Sequence, residues 1–153
     1  MPYAESLGAL HDLREAGKVR MVGVSNANVD QIGEAAEILG AGLVSVQNQF
    51  SPDFRSSEPE LRRCEDMGLA FLPWSPFGGA PRAAEVGSRF AVFAEVASAH
   101  GVSPQQATLA WMLALSPVVI PIPGSSRPST IRDSVAAADL QLSEDELARL
   151  SAA

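Results

Sequence analysis

The sequence predicts an α/β protein in which short parallel strands alternate with helices. Three observations support this class: four apolar runs contain few polar residues, uncharged polar residues follow each run, and a helical pattern comes next. The four runs begin at Val19, Leu43, Leu69 and Val118. Apolar strands that alternate with helices are typical of a parallel sheet covered on its faces, where ligands bind at the carboxyl ends of the strands.

The composition favours one soluble, globular domain. The chain has 153 residues, of which 46% are hydrophobic and 19% are charged, and this length is sufficient to bury a core. No run approaches the ~18 apolar residues of a membrane span, and the first residues lack the pattern of an export signal. Cys64 is the single cysteine, which excludes an internal disulfide framework. We therefore expect a cytoplasmic protein with no membrane contact.

The net charge of −7 argues against nucleic acid as a partner. Non-specific binding to nucleic acid needs clustered positive charge, whereas this chain has one lysine, Lys18, and scattered arginines. An anionic ligand must therefore be held by local groups such as Arg127.

Apolar spacing and capping residues define the elements of the first half. Leucines at helical spacing predict the first helix, and Gly17 suits its left-handed cap. Asn28 with Gln31, and Ser57 with Glu60, match the capping-box pattern of helix starts. In chain order, the predicted elements are a helix over 2–16, a strand over 19–24, a helix over 28–39, a strand over 43–46, a helix over 57–67 and a strand over 69–74.

The second half begins with a turn-rich loop, residues 75–82, and is predicted to be mainly helical. Ser103 as cap and Pro104 at the first helical position mark one helix start. Ser143 with Glu146 forms a further capping-box pattern. In chain order, the predicted elements are helices over 90–100 and 104–115, a strand over 118–122, a helix over 128–138 and a helix from 143 to the end of the sequence.

The fourth apolar run continues into the stretch VVIPIPGSSRPST, residues 118–130, which combines groups that bind phosphate. Serine hydroxyls, free backbone N–H groups at a helix start and the guanidinium of Arg127 can together hold a phosphate. The same composition also fits an ordinary strand-to-helix turn with an exposed arginine.

The other strand ends carry groups that suit a flat, uncharged ring system. Ser25, Asn26 and Gln47 can hydrogen-bond a carboxamide, and Trp74 offers a face for stacking. Arranged around one mouth with residues 124–127, these groups would accommodate a nicotinamide dinucleotide from ring to phosphate. Each group also has a structural explanation, because such amides cap helices or pair with loop backbone and a tryptophan can belong to the core.

The sequence predicts no catalytic constellation and no metal site. His11 and His100 fall within or near the end of predicted helices. Tyr3 and Lys18 do not follow a strand, and Cys64 has no histidine near it in sequence. No metal-ligand spacing, nucleophile elbow or paired carboxylate is present. The predicted site is therefore one of binding.

Five blocks, in order and in register, resemble the second half of an aldo-keto reductase over Ala4 to Leu150. The blocks are GKVRMVGVSN, VQNQFSP, LAFLPWSPFGG, GVSPQQATLAWMLA and VVIPIPGSSRP. The family fold is a (β/α)8 TIM barrel of about 250 residues. The resemblance implies that residues 1–153 form a partial TIM barrel, a single incomplete domain with strands five to eight. An unrelated doubly wound α/β fold is the weaker alternative.

The resemblance implies an NADPH site, whose nicotinamide end lies at the first strand ends. Ser25, Asn26 and Gln47 match the residues that hold the nicotinamide carboxamide. Trp74 stands where the family usually has a tyrosine stacked on the nicotinamide, so the resemblance implies stacking on a different ring.

The resemblance also implies positions for the phosphates. Ser75 and Phe77 match residues along the pyrophosphate. Gly124, Ser125 and Arg127 fall in the loop that grips the adenosine 2′-phosphate. Arg127 is thereby implied as the residue that selects NADPH over NADH.

Besides Trp74, two further departures from the family pattern stand out. Asp133 falls at an acidic position near the adenine, but Ser134 replaces the asparagine often found beside it. The family's catalytic Asp, Tyr, Lys and His come from the first four strand ends, and Tyr3 and Lys18 do not match them. The resemblance therefore implies no catalytic residue in this chain.

Two functions are compatible with these patterns. The first is the cofactor-binding part of an NADPH-dependent oxidoreductase that reduces aldehydes or ketones by hydride transfer, in which case the isolated chain should not turn over. The second is a non-catalytic half-barrel that binds nucleotide or associates with itself through exposed strand edges.

Overall fold

A parallel sheet forms the centre of the molecule. The computed structural model describes all 153 residues, apart from the side chain of residue 80. Its strands are β1 (Val22–Ser25), β2 (Leu43–Gln47) and β3 (Ala70–Phe71), in the order β1-β2-β3. All pairs are parallel, with Ser25 beside Gln47. The predicted α/β class is confirmed, although β1 begins three residues later and β3 ends three residues earlier than expected.

The prediction of a fourth regular strand over 118–122 is wrong. This segment lies parallel to β3, but it forms a single bridge, between Phe71 and Val119. The Ile120 N–H donates to the Phe71 carbonyl at 2.8 Å, and the Ile122 N–H donates to the Pro73 carbonyl at 3.2 Å. Pro73 has no N–H to return a bond to Ile120, so the ladder cannot continue.

Eight α-helices surround this sheet within the described part of the chain. They are α1 (Tyr3–Glu15), α2 (Val29–Leu39), α3 (Glu58–Met67), α4 (Val86–Arg89), α5 (Ala91–His100), α6 (Pro104–Leu115), α7 (Pro128–Ala136) and α8 (Glu144–Ser151). Short 3-10 turns cover Gly40–Gly42, Ala80–Glu85 and Ala137–Asp139. Sequence reasoning missed α4 and the turn at 80–85, which fall in or just after the stretch assigned to a loop.

The capping-box predictions are confirmed at two of three helix starts. Asn28 and Ser143 each form a complete capping box, with Gln31 and Glu146. The backbone N–H of Ser143, followed by its hydroxyl and by His100, lowers the pKa of Glu146 to about 2. Ser57 precedes α3 but makes no capping hydrogen bond, because its φ and ψ of −91° and 16° lie outside the extended region of an N-cap.

An aromatic cluster fixes α5 and α6 against the sheet. Trp111 on α6 is fully buried and stacks on Phe50 at 6.1 Å between centroids, while Phe93 on α5 meets it edge-on at 5.6 Å. The Trp111 indole N–H donates to Ser151 Oγ at 3.0 Å, which ties in α8. Such aromatic contacts hold the helix packing in one arrangement, and the start of α6 is thereby positioned near the start of α7.

The structure also bears on three other classes of function, which are thiol chemistry, metal binding and membrane insertion. Burial, and secondarily Glu60, raises the pKa of Cys64 to about 11, so the thiol is unreactive. Among the described residues, no group of histidine, cysteine and carboxylate side chains is arranged to hold a metal ion. Within the same residues, every helix is too short or too polar to cross a bilayer.

Candidate functional site

The strand ends bring four of the predicted site residues together. Ser25 Oγ donates to the Gln47 carbonyl at 2.8 Å, and the Asn26 N–H donates to the same carbonyl at 3.0 Å. The Trp74 indole N–H donates to Asn26 Oδ1 at 3.1 Å. Asn26 has a φ of +53°, a left-handed conformation that asparagine tolerates better than most residues. These four residues, which we call the strand-end cluster, hold one another in place.

Asn48 locks the backbone beside this cluster, a role that sequence reasoning missed. Its side chain is buried, donates to the Ala27 carbonyl at 2.9 Å and accepts from the Ala27 N–H at 3.2 Å. The two bonds join the end of β2 to the turn between β1 and α2. In the sequence Asn48 is indistinguishable from its polar neighbours Gln47 and Gln49, so no local signal separated them.

The remaining predicted residues line one long cleft. Its larger part, about 740 Å³, lies between the starts of α6 and α7 and the turn at 80–85. Its smaller part, about 440 Å³, extends along the segment after residue 74. The predicted residues that line the cleft are Ser75, Phe77, Gly124, Ser125, Arg127, Asp133 and Ser134. Both parts share Phe77, Gly124 and Ser125, so the cleft is continuous.

The start of α7 presents open hydrogen-bond donors to the cleft. Arg127 is the N-cap residue and is exposed, and it makes no ion pair with the described residues. The first intrahelical bond runs from the Ile131 N–H to the Arg127 carbonyl, so the N–H groups of Ser129 and Thr130 precede it. Ser125 Oγ donates to the same carbonyl at 3.0 Å, which braces the turn. This arrangement suits an anion.

Asp133 connects the two helices that flank the cleft. Ser103 Oγ, which caps α6 by accepting from the Gln106 N–H at 3.0 Å, donates to Asp133 Oδ2 at 2.6 Å. Asp133 therefore has a structural partner as well as a position on the cleft wall. Ser134, one residue further along α7, is half-buried on the same wall.

Four polar residues of the cleft were missed by sequence reasoning: Gln105, Ser126, Ser129 and Thr130. Three of them lie beside Arg127 in the stretch 118–130, whose serine hydroxyls were predicted to hold phosphate although these three residues were not singled out. Gln105 gave none, because only tertiary packing brings α6 beside α7. Its Nε2 donates to the Ala83 carbonyl at 2.5 Å and so ties the turn at 80–85 to α6.

Two of the ionisable groups set aside in the sequence, Tyr3 and His100, have partners away from this cleft. The Tyr3 hydroxyl donates to the Gln31 carbonyl at 3.3 Å, and burial, with a smaller effect of Glu34, raises its pKa. His100 Nε2 lies 2.8 Å from Glu146 Oε1. Neither residue lines the cleft. Among its described lining residues, the cleft therefore offers donors, acceptors and one carboxylate, but no evident proton donor for catalysis.

Parallel strands, flanking helices and a cleft at the carboxyl strand ends define a fragment of the TIM-barrel class. The model of the Aldo/keto reductase family matches residues 1–153. The chain belongs to this family.

Similar sequences carry oxidoreductase names. An oxidoreductase of Schizosaccharomyces pombe is 35% identical over 150 residues, which are 98% of this chain and 47% of that protein. Pyridoxine 4-dehydrogenase of Escherichia coli is 33% identical over 145 residues, or 95% of this chain and 48% of the enzyme. A further Schizosaccharomyces pombe aldo-keto reductase, named with NADP(+), is 25% identical over 173 residues, covering 94% and 50%. The chain spans about half the length of these relatives.

Solved structures show the same relation. A thermostable aldo-keto reductase in complex with the inhibitor epalrestat superposes with a TM-score of 0.88 at 28% identity, covering 99% of this chain and 55% of that one. An aldo-keto reductase of Bombyx mori in complex with NADP has a TM-score of 0.81 at 26% identity, covering 99% and 50%. The fold of this chain thus corresponds to about half of a complete family barrel.

Proposed function

We propose that the cleft binds NADPH and that this chain supplies the cofactor-binding part of an NADPH-dependent carbonyl reductase. Two observations support the proposal. Family members similar to this chain carry NADP in their name or in their structure. The cleft also has open anion donors at the start of α7, and its smaller part includes Ser75, the residue that follows Trp74 of the strand-end cluster.

The start of α7 is the observation that carries the proposal. Arg127 makes no ion pair with a carboxylate among the described residues, and Ser129 and Thr130, whose N–H groups carry positive partial charge at the helix start, line the cleft. A guanidinium with such N–H groups fits a phosphate monoester, since both donate in fixed directions. We assign the 2′-phosphate to Gly124, Ser125 and Arg127.

The rest of the nucleotide follows from that anchor. We assign the adenine to Asp133 and Ser134 on the same wall, and the pyrophosphate to Ser75 and Phe77, which line the smaller part of the cleft.

We assign the nicotinamide carboxamide to Ser25, Asn26 and Gln47, with Trp74 beneath the ring. Asn26 accepts from the Trp74 indole through Oδ1, so its Nδ2 donors stay available for a carboxamide oxygen. The half-buried Gln47 side chain makes no hydrogen bond with the described residues and has both donor and acceptor free.

Bound NADPH supplies a hydride to a carbonyl carbon, and a proton must reach the carbonyl oxygen. The described residues of the cleft contain no acid placed to give that proton. We therefore propose that the 153-residue chain by itself binds NADPH, orients its ring and phosphates, and does not reduce aldehydes. Aldehyde-dependent oxidation of NADPH by the purified chain would contradict this part of the proposal.

Titration of the purified chain with NADPH and NADH tests the proposal. Trp74 fluorescence should quench on binding, whereas Trp111 is fully buried and should contribute a constant background. Arg127→Ala should weaken NADPH binding by about 10- to 100-fold, the value of a charged hydrogen bond, and leave NADH unaffected. Arg132→Ala is the matched control, because Arg132 is exposed on α7 and lies outside the cleft lining. Equal affinities of the two nucleotides for the wild-type chain would contradict the phosphate assignment.

An apolar surface favours self-association as a second candidate function. A groove of about 530 Å³ is lined by two isoleucines after β3, by two apolar residues of α7, and by Leu109 and Leu113 of α6. Ile120 and Val135 are 53% and 65% exposed. Exposed apolar surface of this kind marks interaction sites.

The observed edge favours this groove over strand addition. Residues 121 and 123 direct their backbone away from β3, and both are prolines without an N–H. We therefore propose that a second copy covers the groove. Sedimentation equilibrium should show dimers that Val135→Glu dissociates, while Arg132→Glu on the same helix has no effect. A monomer at all concentrations would contradict the proposal.

A further inference from the structure

Asp53 connects two loops from a position outside the cleft. Its carboxylate accepts hydrogen bonds from Ser51 at 2.7 Å, from Arg82 at 3.3 Å and from Arg89. Ser51 is buried, and its backbone bonds twice to that of Phe54, which closes the turn that carries Asp53. Burial raises the pKa of Asp53, but the hydrogen bonds from Ser51 and Arg89 outweigh it and the pKa lies below its ordinary value. Asp53 is a fixed anion on the loop after β2.

Gly78 lies directly against this anion. A Cβ placed on Gly78 would lie 3.3 Å from Asp53 Oδ1, from Arg82 Cδ and from Arg89 Nη1. The Gly78 N–H donates to the Ser75 carbonyl at 2.9 Å, and its φ is +80°. The left-handed φ favours glycine, and the close approach leaves little room for a side chain. The turn that begins at Ser75 therefore rests on the Asp53 ion pairs.

This turn and the segment after it form a wall of the cleft. Phe77 and Ala83 line both of its parts, whereas Asp53 lines neither. Inside the cleft the Ala83 carbonyl is held by Gln105. From outside, Arg89 is half-buried, and its Nη1 has no hydrogen-bond partner among the described residues, so Asp53 is the acceptor that orients its guanidinium. Residues 75–89, which we call the cleft wall, are thus held at two points.

We propose that Asp53 is a positioning residue for the nucleotide: its carboxylate holds the cleft wall through Arg82 and Arg89 and so slows nucleotide release. This inference rests on the proposed NADPH site. Asp53 does not touch the nucleotide, and its effect passes through the wall residues Ser75 and Phe77.

The wall itself can be tested without nucleotide. Hydrogen–deuterium exchange on the free chain should be faster at amides of residues 78–89 in Asp53→Asn than in the wild type, with exchange in α2 and α6 unchanged. Glu95→Gln is the matched control, because it breaks an exposed ion pair with Arg149 at 2.7 Å that lies outside the cleft lining.

The positioning role is measured by the rate of NADPH release in stopped-flow displacement. Asp53→Asn should raise that rate by about 10-fold, a typical coupling within one network. Arg89→Gln should match it, and Arg82→Gln should have less effect because Arg82 is the more exposed partner. Glu95→Gln should leave the rate unchanged.

Each outcome bears on the inference in a defined way. Faster exchange together with faster release supports it. Release unchanged in Asp53→Asn overturns it, including when the variant has a lower melting temperature, since the ion pairs would then contribute to stability alone. A wild-type chain that binds no NADPH overturns the proposed function, and the positioning role with it. Hydrogen–deuterium exchange of residues 78–89 in the free wild-type chain distinguishes a missing nucleotide site from a cleft wall that is itself unstructured.

Discussion

The strand-end cluster and the start of α7 differ in how their polar groups are used. In the strand-end cluster, Ser25, Asn26 and Trp74 each donate to another residue of the cluster. At the start of α7, the Arg127 side chain and the N–H groups of Ser129 and Thr130 have no such partner among the described residues. One end is organised before a ligand arrives, and the other offers charge and open donors. We therefore expect the first to determine orientation and the second to determine affinity.

Substitutions of the neighbours Asn48 and Gln47 should differ most in their effects on stability and on binding. Asn48 holds the backbone of Ala27, whereas the Gln47 side chain is assigned to the nucleotide. Asn48→Ala removes both bonds to Ala27 and leaves a buried N–H and carbonyl unpaired, which should cost about 2–4 kcal/mol of unfolding free energy. Gln47→Ala should change the free energy of unfolding by less than about 0.5 kcal/mol but should weaken the binding of both NADPH and NADH. Urea denaturation measures the stability, and titration measures the binding. A stability loss shared by both variants would contradict the distinction.

The salt dependence of nucleotide binding should give the next largest contrast between the strand-end cluster and the start of α7. Interactions of exposed charges are screened with a Debye length of about 10 Å at 0.1 M and about 3 Å at 1 M. Raising the salt concentration from 0.05 to 0.5 M should therefore weaken NADPH binding several-fold, because it screens the charge of Arg127. NADH binding should weaken less. In Arg127→Ala the two nucleotides should respond alike. Parallel salt dependence in the wild-type chain would mean that affinity does not come from the α7 end.

Local patterns predicted the elements well where a single segment determines the geometry. Asn28 and Ser143 form their boxes because the partners lie three residues away. The fourth strand failed because its regularity depends on a donor in another segment, and Pro73 has none. Gln105 escaped notice for the same reason, since its place in the cleft depends on how α6 packs beside α7. The candidate site was predicted where the residues follow strand ends, and was incomplete where only packing assembles it.

Trp74→Phe tests how much of the nicotinamide end depends on organisation rather than on stacking. The substitution keeps an aromatic face but removes the indole N–H that donates to Asn26 Oδ1. One such hydrogen bond contributes about 1 kcal/mol, so the binding of both nucleotides should weaken by about five-fold. Because this variant also removes the reporting indole, calorimetry is the measurement. A larger loss for NADPH than for NADH would place Trp74 near the phosphate end, against the assignment.

Two serine-to-alanine variants should have the smallest effects on nucleotide affinity. They compare the strand-end cluster with the start of α7 most directly. Ser25→Ala removes an exposed hydroxyl that shares the Gln47 carbonyl with the Asn26 N–H, so that carbonyl stays paired. Both nucleotides should therefore weaken equally, by about two-fold. Ser125→Ala removes the hydroxyl that braces the Arg127 carbonyl, and its loss should fall on NADPH alone, again by about two-fold. Calorimetric titration of both variants with both nucleotides gives four ratios. If Ser125→Ala weakened NADH binding as much as NADPH binding, the brace would serve the cleft as a whole, and the division of roles between the strand-end cluster and the start of α7 would fail.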